Sequence, residues 1–473
     1  MIGFCVRNVL FQSSIRSKHF SYTRHCAKEI NPAQKTWNIL TADVPVSLGL
    51  RKPEIVYPEN ADVVIIGGGF IGAATAYWLK SRAVHGLDVV VLEKDTTVSK
   101  NLQPNYSLGT ITQHFSQIEN IKLAQACSEF LRNTEGHLSK DVNLQYNPTG
   151  SLILASEKYA DRLEQNVAVM KEEGQRLDIL MPSAIKEQFP WLNTDDVKIG
   201  CMGIESEGTF NSLELLKGFL LKSAELGAKY VEAEVVGFEL EQQRDVLMEG
   251  VAPGTYKRIN RVRYRTADGE EKRIKFAACV LAAGDQSCNI GQFVDIGLGE
   301  GMLSLAFPTA KREFNVYSIE NKGPKMGLKT PIVSDTSGLW LRKNGLQDNL
   351  IFGVQPLSSE AENYNDEEYY KNIILASITN RIPGCNTSDI KCVNTEIYDT
   401  NTFDDSGILG VHPYYNNLFI ATAFGKLGCQ HSPAIGRAIA ELIIDSRYTT
   451  IDFTRFGFDR FLINEPVVEF NNY

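Results

Sequence analysis

The sequence ADVVIIGGGFIGAATAYWLKSRAVHGLDVVVLEKD, residues 61–95, sets the architecture around which the rest of the chain is built. Its apolar run Val63–Ile66 predicts a buried parallel strand. That run leads directly into a G-x-G-x-x-G sequence at Gly67–Gly72, and good helix formers follow over Ala73–Lys80. A second apolar run then ends at Glu93. The order of strand, glycine turn, helix and strand predicts a βαβ unit that binds a dinucleotide.

The glycines of this motif have separate tasks. Gly67 allows the tight turn, Gly69 lets a pyrophosphate approach the backbone, and Gly72 lets the helix pack closely on the strand. The helix N-terminus offers N–H groups and a positive dipole end to phosphates. Glu93 follows about 20 residues later, where a carboxylate accepts hydrogen bonds from ribose hydroxyls. An acid at this position disfavours NADP, whereas NAD and FAD both remain open from this stretch alone.

Composition narrows the class of protein. A chain of 473 residues has room for about two to three domains or lobes, and 43% hydrophobic residues can form a sizeable core. The net charge of −9 argues against a general nucleic-acid binder. The cysteines include no C-x-x-C and the histidines no H-E-x-x-H, so we predict no metal site. The uncharged run Val63–Leu79 is short and glycine-rich for a membrane span, and we predict no transmembrane segment.

The N-terminal residues predict a mitochondrial location. Residues 1–28 contain scattered arginines, lysines and serines, with no acidic residue before Glu29. This composition is typical of a mitochondrial presequence. Residues 29–60 carry several prolines and predict an irregular arm. We therefore expect the protein in the matrix, or on the matrix face of the inner membrane by peripheral association.

Periodicity places further elements along the chain. Helices are predicted over Asn120–Leu138, Glu157–Glu173, Asn211–Leu226 and Pro433–Ile444; strands over Leu144–Tyr146, Ser151–Ala155, Ala228–Ala233, Val235–Leu240 and Asn417–Thr422; and a hairpin from Arg258–Arg265 and Glu271–Phe276. Another buried strand ends in the sequence Ala282-Ala283-Gly284. Three hydrophobic strands thus end in glycine loops, at Gly67, Gly284 and Gly425. This pattern indicates one nucleotide bound by distant segments.

The combination resembles the D-amino-acid oxidase and sarcosine oxidase family of FAD enzymes. The matching segments are Gly67–Gly72 with Glu93, Ala282–Ser287, and Ala423–Gly428 before Pro433. The resemblance extends over about residues 61–461 and implies an α/β fold in two lobes. One is a discontinuous Rossmann-like FAD-binding domain, residues 61–142, 205–290 and 400–465. The other is a mixed, largely antiparallel sheet forming a substrate domain, residues 143–204 and 291–399.

The same resemblance implies how FAD is held, without a covalent bond. The ADP half is expected to lie on Gly67, Gly69, Phe70, Ile71, Gly72, Glu93, Lys94 and Gly284. Val235 is expected to offer its backbone to the adenine. The flavin end is expected at Gly425, Lys426, Leu427 and Gly428. Relatives carry small residues and a histidine in this last loop, so Lys426 and Leu427 are departures from the family pattern.

Two residues are the candidates for catalysis. Lys426 could place positive charge beside the flavin N1–C2=O region, point to solvent, or crowd the ring, and the sequence does not rank these three. Arg342 lies in a Trp–Leu–Arg strand where relatives carry an aromatic–x–Arg sequence, and its planar guanidinium suits a substrate carboxylate. Lys311, Arg312, Tyr398 and His412 are weaker candidates.

The implied reaction is oxidation of the C–N bond of a small amine or N-methyl amino acid, with hydride transfer to flavin N5. A closer resemblance, to a mitochondrial branch of the family associated with assembly of respiratory complex I, rests on four segments: Pro190–Thr194, Ser334–Gly338, Asn401–Asp404 and Gly436–Ala438. It implies complex I subunits or assembly intermediates as partners. The alternative function is therefore a catalytically inactive flavoprotein scaffold. A third reading, an NAD-dependent dehydrogenase, is disfavoured by the three glycine loops.

Overall fold

The computed structural model describes residues 57–83, 86–94, 109–204, 206–320, 325–345, 349–354, 370–385 and 387–470. The predicted presequence, residues 1–28, and nearly all of the predicted arm, residues 29–60, lie outside these ranges. The strands are β1 Asn60–Ile66, β2 Val89–Glu93, β3 Thr110–Ile111, β4 Ser151–Ala155, β5 Leu177–Leu180, β6 Ile199–Gly203, β7 Gly208–Thr209, β8 Lys229–Gln242, β9 Lys257–Thr266, β10 Glu271–Leu281, β11 Thr309–Glu320, β12 Ile332–Asp335, β13 Leu339–Lys343, β14 Asn349–Val354, β15 Lys391–Asn401, β16 Ile408–Val411 and β17 Leu418–Thr422.

Helices alternate with these strands in the first part of the chain, and further helices follow the last strand. They are α1 Phe70–Ala83, α2 Ile118–Arg132, α3 Thr134–His137, α4 Ala160–Glu172, α5 Pro182–Gln188, α6 Ser212–Glu225, α7 Ser287–Gln292, α8 Ala376–Arg381, α9 Gly428–Asp445 and α10 Asp459–Ile463. Helix α6 begins as its sequence predicts, because the Asn211 side chain accepts hydrogen bonds from the N–H groups of Leu213 and Glu214.

The first sheet carries the predicted βαβ unit. Its parallel strands lie in the order β8, β2, β1, β10, β17, and β16 adds an antiparallel edge. Strand β8 is continuous where the sequence predicts two strands, and the predicted hairpin strand and the strand before Gly284 are likewise one strand, β10. Both are long enough to leave the parallel sheet and pair with β9 in an antiparallel layer.

The second sheet has the order β15, β11, β14, β13, β12, β4, β6, β5. Its pairings are antiparallel except between β12 and β4. The α/β fold class, with a Rossmann-like part and a largely antiparallel sheet, is confirmed. The exact domain boundaries remain a prediction.

The core consists of layers on both faces of each sheet. In β1, Val63 and Ile65 face helices α1, α2, α6 and α9, while Val64 and Ile66 face the β9 side. One face of the second sheet packs against α5 and α8. The other face carries Ile153 and Cys201, which pack against α2 and α4. We call this second surface the inner face, because residues of the first lobe lie against it.

Helix α9 begins at Gly428, five residues earlier than predicted. The proline that marked its predicted start, Pro433, lies within the helix. Proline has no N–H, so the carbonyl of Cys429 lacks its usual helical donor; the Ser432 hydroxyl donates to that carbonyl at 3.0 Å instead. The Pro433 carbonyl in turn accepts a hydrogen bond from Trp78 Nε1 at 2.7 Å. The hydrogen bond from Ser432 satisfies the Cys429 carbonyl, so the helix can extend back to the glycine loop.

Two other predictions were wrong in detail. The helix predicted to reach Leu138 breaks at Asn133, and a separate short helix, α3, follows. Residues 144–146 form no strand, although Asn147 makes an isolated bridge with Thr209. Both errors fall where apolar residues are buried without regular backbone pairing, which periodicity does not distinguish from a strand or helix.

Candidate functional site

The carboxyl ends of four parallel strands meet at one edge of the first sheet. Ile66 of β1 lies beside Leu92 of β2 and Leu281 of β10, and Leu281 pairs with Ile420 of β17. The chain leaves each of these strands through a glycine loop or an acidic residue. In open α/β sheets, ligands bind in the crevice outside such carboxyl ends. We call this edge the crevice.

The glycines of the first loop differ in what surrounds them. Gly67 has φ +101°, and a Cβ there would lie 2.1 Å from the carbonyl oxygen of Ala282. A Cβ at Gly72 would lie 1.9 Å from the Gly67 oxygen. At Gly69 a Cβ would meet no atom within 4 Å. Two glycines are therefore required by the packing of the protein, while the third faces open space, as expected where a pyrophosphate approaches the backbone.

The acidic end of β2 contacts the same loop. Glu93 Oε2 accepts a hydrogen bond from the Gly68 N–H at 2.5 Å. The side chain of Lys94 is turned away toward β8, where its Nζ lies 2.6 Å from Glu234 Oε1. The next residue on β8 is Val235, where the pairing with β9 shifts register. The structure thus brings Glu93, Lys94 and Val235 to one side of the crevice.

The second loop joins the first sheet to the second. Gly284 has φ +57°, and a Cβ there would meet open space. The hydroxyl of Thr422 lies 3.1 Å from the Gly284 oxygen, 2.9 Å from Ser287 Oγ and 3.0 Å from Asp399 Oδ2. One side chain at the end of β17 therefore contacts β15 and the segment after β10.

Asp399 is a residue of this site that the sequence did not reveal. Its carboxylate also accepts a hydrogen bond from the N–H of Ala423, and burial raises its pKa. Ala423 has φ +61°, a left-handed conformation unfavourable for alanine. The bond to Asp399 helps to hold this conformation. Asp399 belongs to the second sheet, and no local motif relates it to the glycine loop 24 residues later.

The third loop places Lys426 in the crevice. The side chain is exposed, yet desolvation by surrounding protein lowers its pKa to about 8, with Asp405 acting in the opposite direction. This combination places the ammonium in a recess that still admits water. Gly425, with φ +60°, would direct a Cβ toward Tyr398 and the Asp399 oxygen.

Leu427 has a packing role. Its side chain packs against the apolar cluster on the inner face of the second sheet that includes Phe115, Ile153 and Cys201. A Cβ at the next residue, Gly428, would lie 4.0 Å from Ile71 Cδ1. The first turns of helices α1 and α9 therefore converge on the crevice, and the loop lies between them, whereas its contact with a flavin remains a prediction.

The candidate arginine lies on the inner face of the second sheet. Arg342 pairs across strands with Ile351, which clusters with Trp340, Val316 and Tyr398 on that face. Its side chain is buried, and desolvation lowers its pKa to about 10. Its Nη1 lies 3.5 Å from the Lys343 carbonyl.

The weaker candidates separate into two groups. Arg312 is half-buried and lies across from Tyr398, whose ring lies near Gly425, so both belong to the crevice side. Lys311 forms an exposed pair with Glu313 at 2.7 Å. His412 follows β16 beside the start of β17, at the opposite edge of the sheet. Its Nδ1 accepts backbone N–H groups of the following turn, so we reject it as a site residue.

Among the described residues, no group of three histidine, cysteine or acidic side chains could hold a metal ion. No helix in that part of the chain is long and apolar enough to cross a membrane.

Known proteins resemble this chain over most of its length. The model of the family described as FAD dependent oxidoreductase (DAO) matches residues 62–442. The chain belongs to the FAD-dependent oxidoreductase family. Relatives named FAD-dependent oxidoreductase domain-containing protein 1 include one from Drosophila melanogaster, 38% identical over 88% of this chain and 81% of its own length. One from Xenopus laevis is 36% identical over 88% of this chain and 85% of its own length. These relatives confirm the resemblance to this branch of the family, whereas the association with complex I assembly remains a prediction.

More distant similarities show how widely the fold of this family is shared. The crystal structure of L-proline dehydrogenase from P. horikoshii has a TM-score of 0.68 at 21% identity, covering 87% of this chain and 100% of that one. Glycine oxidase from Geobacillus kaustophilus has a TM-score of 0.62 at 19% identity, covering 84% and 98%. At these identities the structures support the fold of this FAD-dependent family member, and they leave its substrate open.

Proposed function

We propose that this chain binds FAD non-covalently in the crevice and oxidises the C–N bond of a small amine or N-methyl amino acid. The observation that carries the proposal is the convergence of the three glycine loops, with open space at Gly69 and Gly284 and packed glycines at Gly67 and Gly72. Support for the substrate class comes from relatives whose names state it, including mitochondrial sarcosine dehydrogenase of Mus musculus, 21% identical over 84% of this chain.

Different residues would hold the two ends of the cofactor. Gly67, Gly69, Gly72 and Glu93 would hold the ADP half, with Phe70 and Ile71 opening the helix whose N-terminus faces the phosphates. When bound, FAD supplies the acceptor for a hydride from the carbon beside the substrate nitrogen. Lys426 would add positive charge at the other end of the crevice, where it would stabilise negative charge that develops during the reaction.

Arg342 and Arg312 are the cations on the inner face that suit a substrate carboxylate. A guanidinium offers two parallel N–H donors, which position a carboxylate more precisely than an ammonium does. Arg342 is held on a buried strand, which would keep its guanidinium in a fixed position for a carboxylate.

Anaerobic mixing of the flavin-loaded protein with sarcosine, dimethylglycine, proline and a panel of amino acids tests the enzyme proposal. We expect one substrate class to bleach the flavin absorption, and the Arg342→Ala variant to require at least tenfold more substrate. Arg273→Ala is the matched control, because Arg273 forms only an exposed pair with Glu239 in the antiparallel layer. A purified protein with no flavin spectrum would refute the cofactor proposal itself.

A second function, a flavoprotein scaffold for complex I assembly in mitochondria, is favoured by Leu427. Relatives commonly carry a histidine there, whereas this leucine packs the glycine loop onto the second sheet. Such a contact strengthens the junction of the lobes and supplies no polar group to a substrate. Mitochondrial relatives such as sarcosine dehydrogenase agree with the location, and the predicted partners are complex I subunits or assembly intermediates.

Cells lacking the protein distinguish the two functions. We expect complex I to be restored by the wild-type chain and by Arg342→Ala if the protein is a scaffold, but by the wild type alone if turnover is required. The Gly67→Ala variant should fail in both cases, because it damages the cofactor loop. Normal complex I in cells without the protein would refute the assembly role.

A further inference from the structure

A buried carboxylate outside the crevice connects the second sheet to the segment beside it. Glu207 is 1% exposed. Its Oε1 accepts the N–H of Gln113 at 2.7 Å, and its Oε2 accepts the hydroxyl of Ser151 at 2.6 Å. His114 Nε2 lies 3.3 Å from the same Oε2. Glu207 therefore joins strand β4 of the inner face to residues 113–114.

The charge of this carboxylate is matched locally. Burial lowers the pKa of His114, but Glu207 and Cys201 outweigh this effect, and the pKa lies well above its usual value. The Glu207 carboxylate thus favours the protonated form of the imidazole beside it. An ion pair taken wholly out of water needs several hydrogen bonds to be maintained. Gln113 and Ser151 supply them, so the arrangement has one well-defined geometry.

Thr112, the residue before Gln113, is attached to helix α9 at the crevice. Gln430, in the first turn of α9, is 3% exposed. Its Oε1 accepts the Thr112 N–H at 3.1 Å, and its Nε2 donates to the Thr112 carbonyl at 2.8 Å. This two-bond clamp holds residue 112 against the helix that starts at Gly428. Residues 112–114 are thus fixed on one side by Gln430 and on the other by Glu207.

We propose that Glu207 is a positioning residue for the flavin end of the crevice, acting through residues 112–114 and Gln430 on the first turn of α9. The inference rests on the proposed binding of FAD in the crevice. The start of α9 has no other side-chain cap in the described part of the chain, and Pro433 weakens its early backbone bonding. Its alignment therefore depends on tertiary contacts, which include this chain of hydrogen bonds and the contact between Cys127 Sγ and the His431 carbonyl at 3.5 Å.

Substitutions at Glu207 test the proposal in the flavin-loaded protein. Glu207→Leu removes every bond to Gln113 and Ser151, whereas Glu207→Gln can still accept from Gln113 and donate to Ser151. We expect Glu207→Leu to weaken FAD binding roughly tenfold and to change the visible circular dichroism of the flavin. Glu207→Gln, which keeps both hydrogen bonds and loses only the charge beside His114, should give a smaller change than Glu207→Leu. Ser151→Ala, which removes one bond only, should give a smaller change in the same direction.

The matched control is Asp335→Asn. Asp335 forms an equally buried pair with Arg381 at 2.8 Å in the same sheet, on the face that packs against α5 and α8. Its loss should lower the melting temperature without changing the visible circular dichroism. If Glu207→Leu behaves like this control, Glu207 is only structural and the proposal is refuted.

Hydrogen exchange separates this inference from the proposed function. In the flavin-free protein, Glu207→Leu should increase exchange at the amides of residues 111–115 and 428–432, and Glu207→Gln should not. Faster exchange at residues 111–115 alone would refute the connection to α9. A wild-type protein that binds no FAD would instead refute the proposed function while leaving the exchange result valid.

Discussion

At the scale of single residues, the ends of the parallel strands are the most constrained positions. Gly67 is held in a conformation with φ +101° directly against the Ala282 carbonyl. Ala423 has φ +61° although it carries a Cβ. Strained or glycine-dependent backbone is typical of sites where a ligand must approach the main chain. The two positions lie at the start and end of the crevice, and both lie directly after a buried strand.

Gly67→Ala and Gly69→Ala should have different effects. In flavin-free protein, Gly67→Ala should lower the free energy of unfolding by about 2 kcal/mol or more, because of the clash and the positive φ. Gly69→Ala should change it by less than about 1 kcal/mol. Both should weaken FAD binding, measured by flavin fluorescence titration. Equal losses of stability would show that the first loop is packed differently from the described geometry.

Lys426 should make stability depend on pH in flavin-free protein. Its pKa in the fold is lowered to about 8, from the 10.5 of an ordinary lysine. Between these values Lys426 binds more protons in the unfolded chain than in the folded one, so its contribution to stability should rise with pH from about 8 to about 10. Lys426→Met should remove this rise. Thermal unfolding over that range measures it, and an unchanged pH profile in the variant would exclude Lys426 as its source.

At the scale of elements, helix α2 shows an unusual N-terminus. Its N-cap residue Gln117 makes no side-chain cap bond. Glu469, near the C-terminal end of the described chain, lies beside this N-terminus: its carboxylate accepts from the N–H and hydroxyl of Ser116, and from Asn120 Nδ2. A carboxylate at a helix N-terminus also interacts favourably with the positive end of the helix dipole. The C-terminal segment is thereby attached to the interior of the fold.

Glu469→Ala should cost about 1–2 kcal/mol of unfolding free energy, the range found when a good cap is removed. Glu465→Ala, at an exposed position on the same segment, should have little effect. Chemical denaturation of the two variants provides the comparison. Similar values for both would mean that Glu469 contributes no more than a surface carboxylate.

At the scale of the whole molecule, buried ion pairs hold distant segments of the chain together. Arg460 of α10 contacts Asp404 through Nε at 2.8 Å and Nη2 at 3.1 Å. Asp404 also accepts the Val467 N–H at 2.9 Å. Arg381 similarly joins Asp335 and Asp196. Asp404 and Asp335 lie within two of the short segments on which the closer family resemblance rests, and the ion pairs give those segments an architectural role.

Asp404→Ala should destabilise the protein by about 3–5 kcal/mol, because Arg460 would remain buried without its carboxylate. The double variant Asp404→Ala with Arg460→Met should be more stable than Asp404→Ala alone, since it removes the uncompensated charge. A double-mutant cycle by denaturant unfolding measures the coupling. Additive effects of the two substitutions would contradict a direct interaction.

Much of the architecture was predictable because it depends on neighbours in the sequence. The glycine spacing at Gly67–Gly72, the acid at Glu93 and the apolar runs before Gly284 and Gly425 each express a local requirement of φ, packing or strand burial. These signals were sufficient to predict the α/β fold and the three loops that line the crevice. The helix start at Gly428 was not predicted. The hydrogen bonds that accommodate Pro433 inside the helix form only once the helix has folded, so the sequence does not show them.

The sequence by itself thus determined the fold class and the loops of the crevice, whereas only the tertiary structure decided which side chains support them. Asp399, Gln430 and Glu207 carry no motif, and the partners that join them to other segments lie from 23 to 318 residues away. Backbone conformation is set by short-range sterics and periodicity, which a linear sequence records. The pairing of buried polar groups depends on how two sheets and their helices pack, and that exists only once the chain has folded.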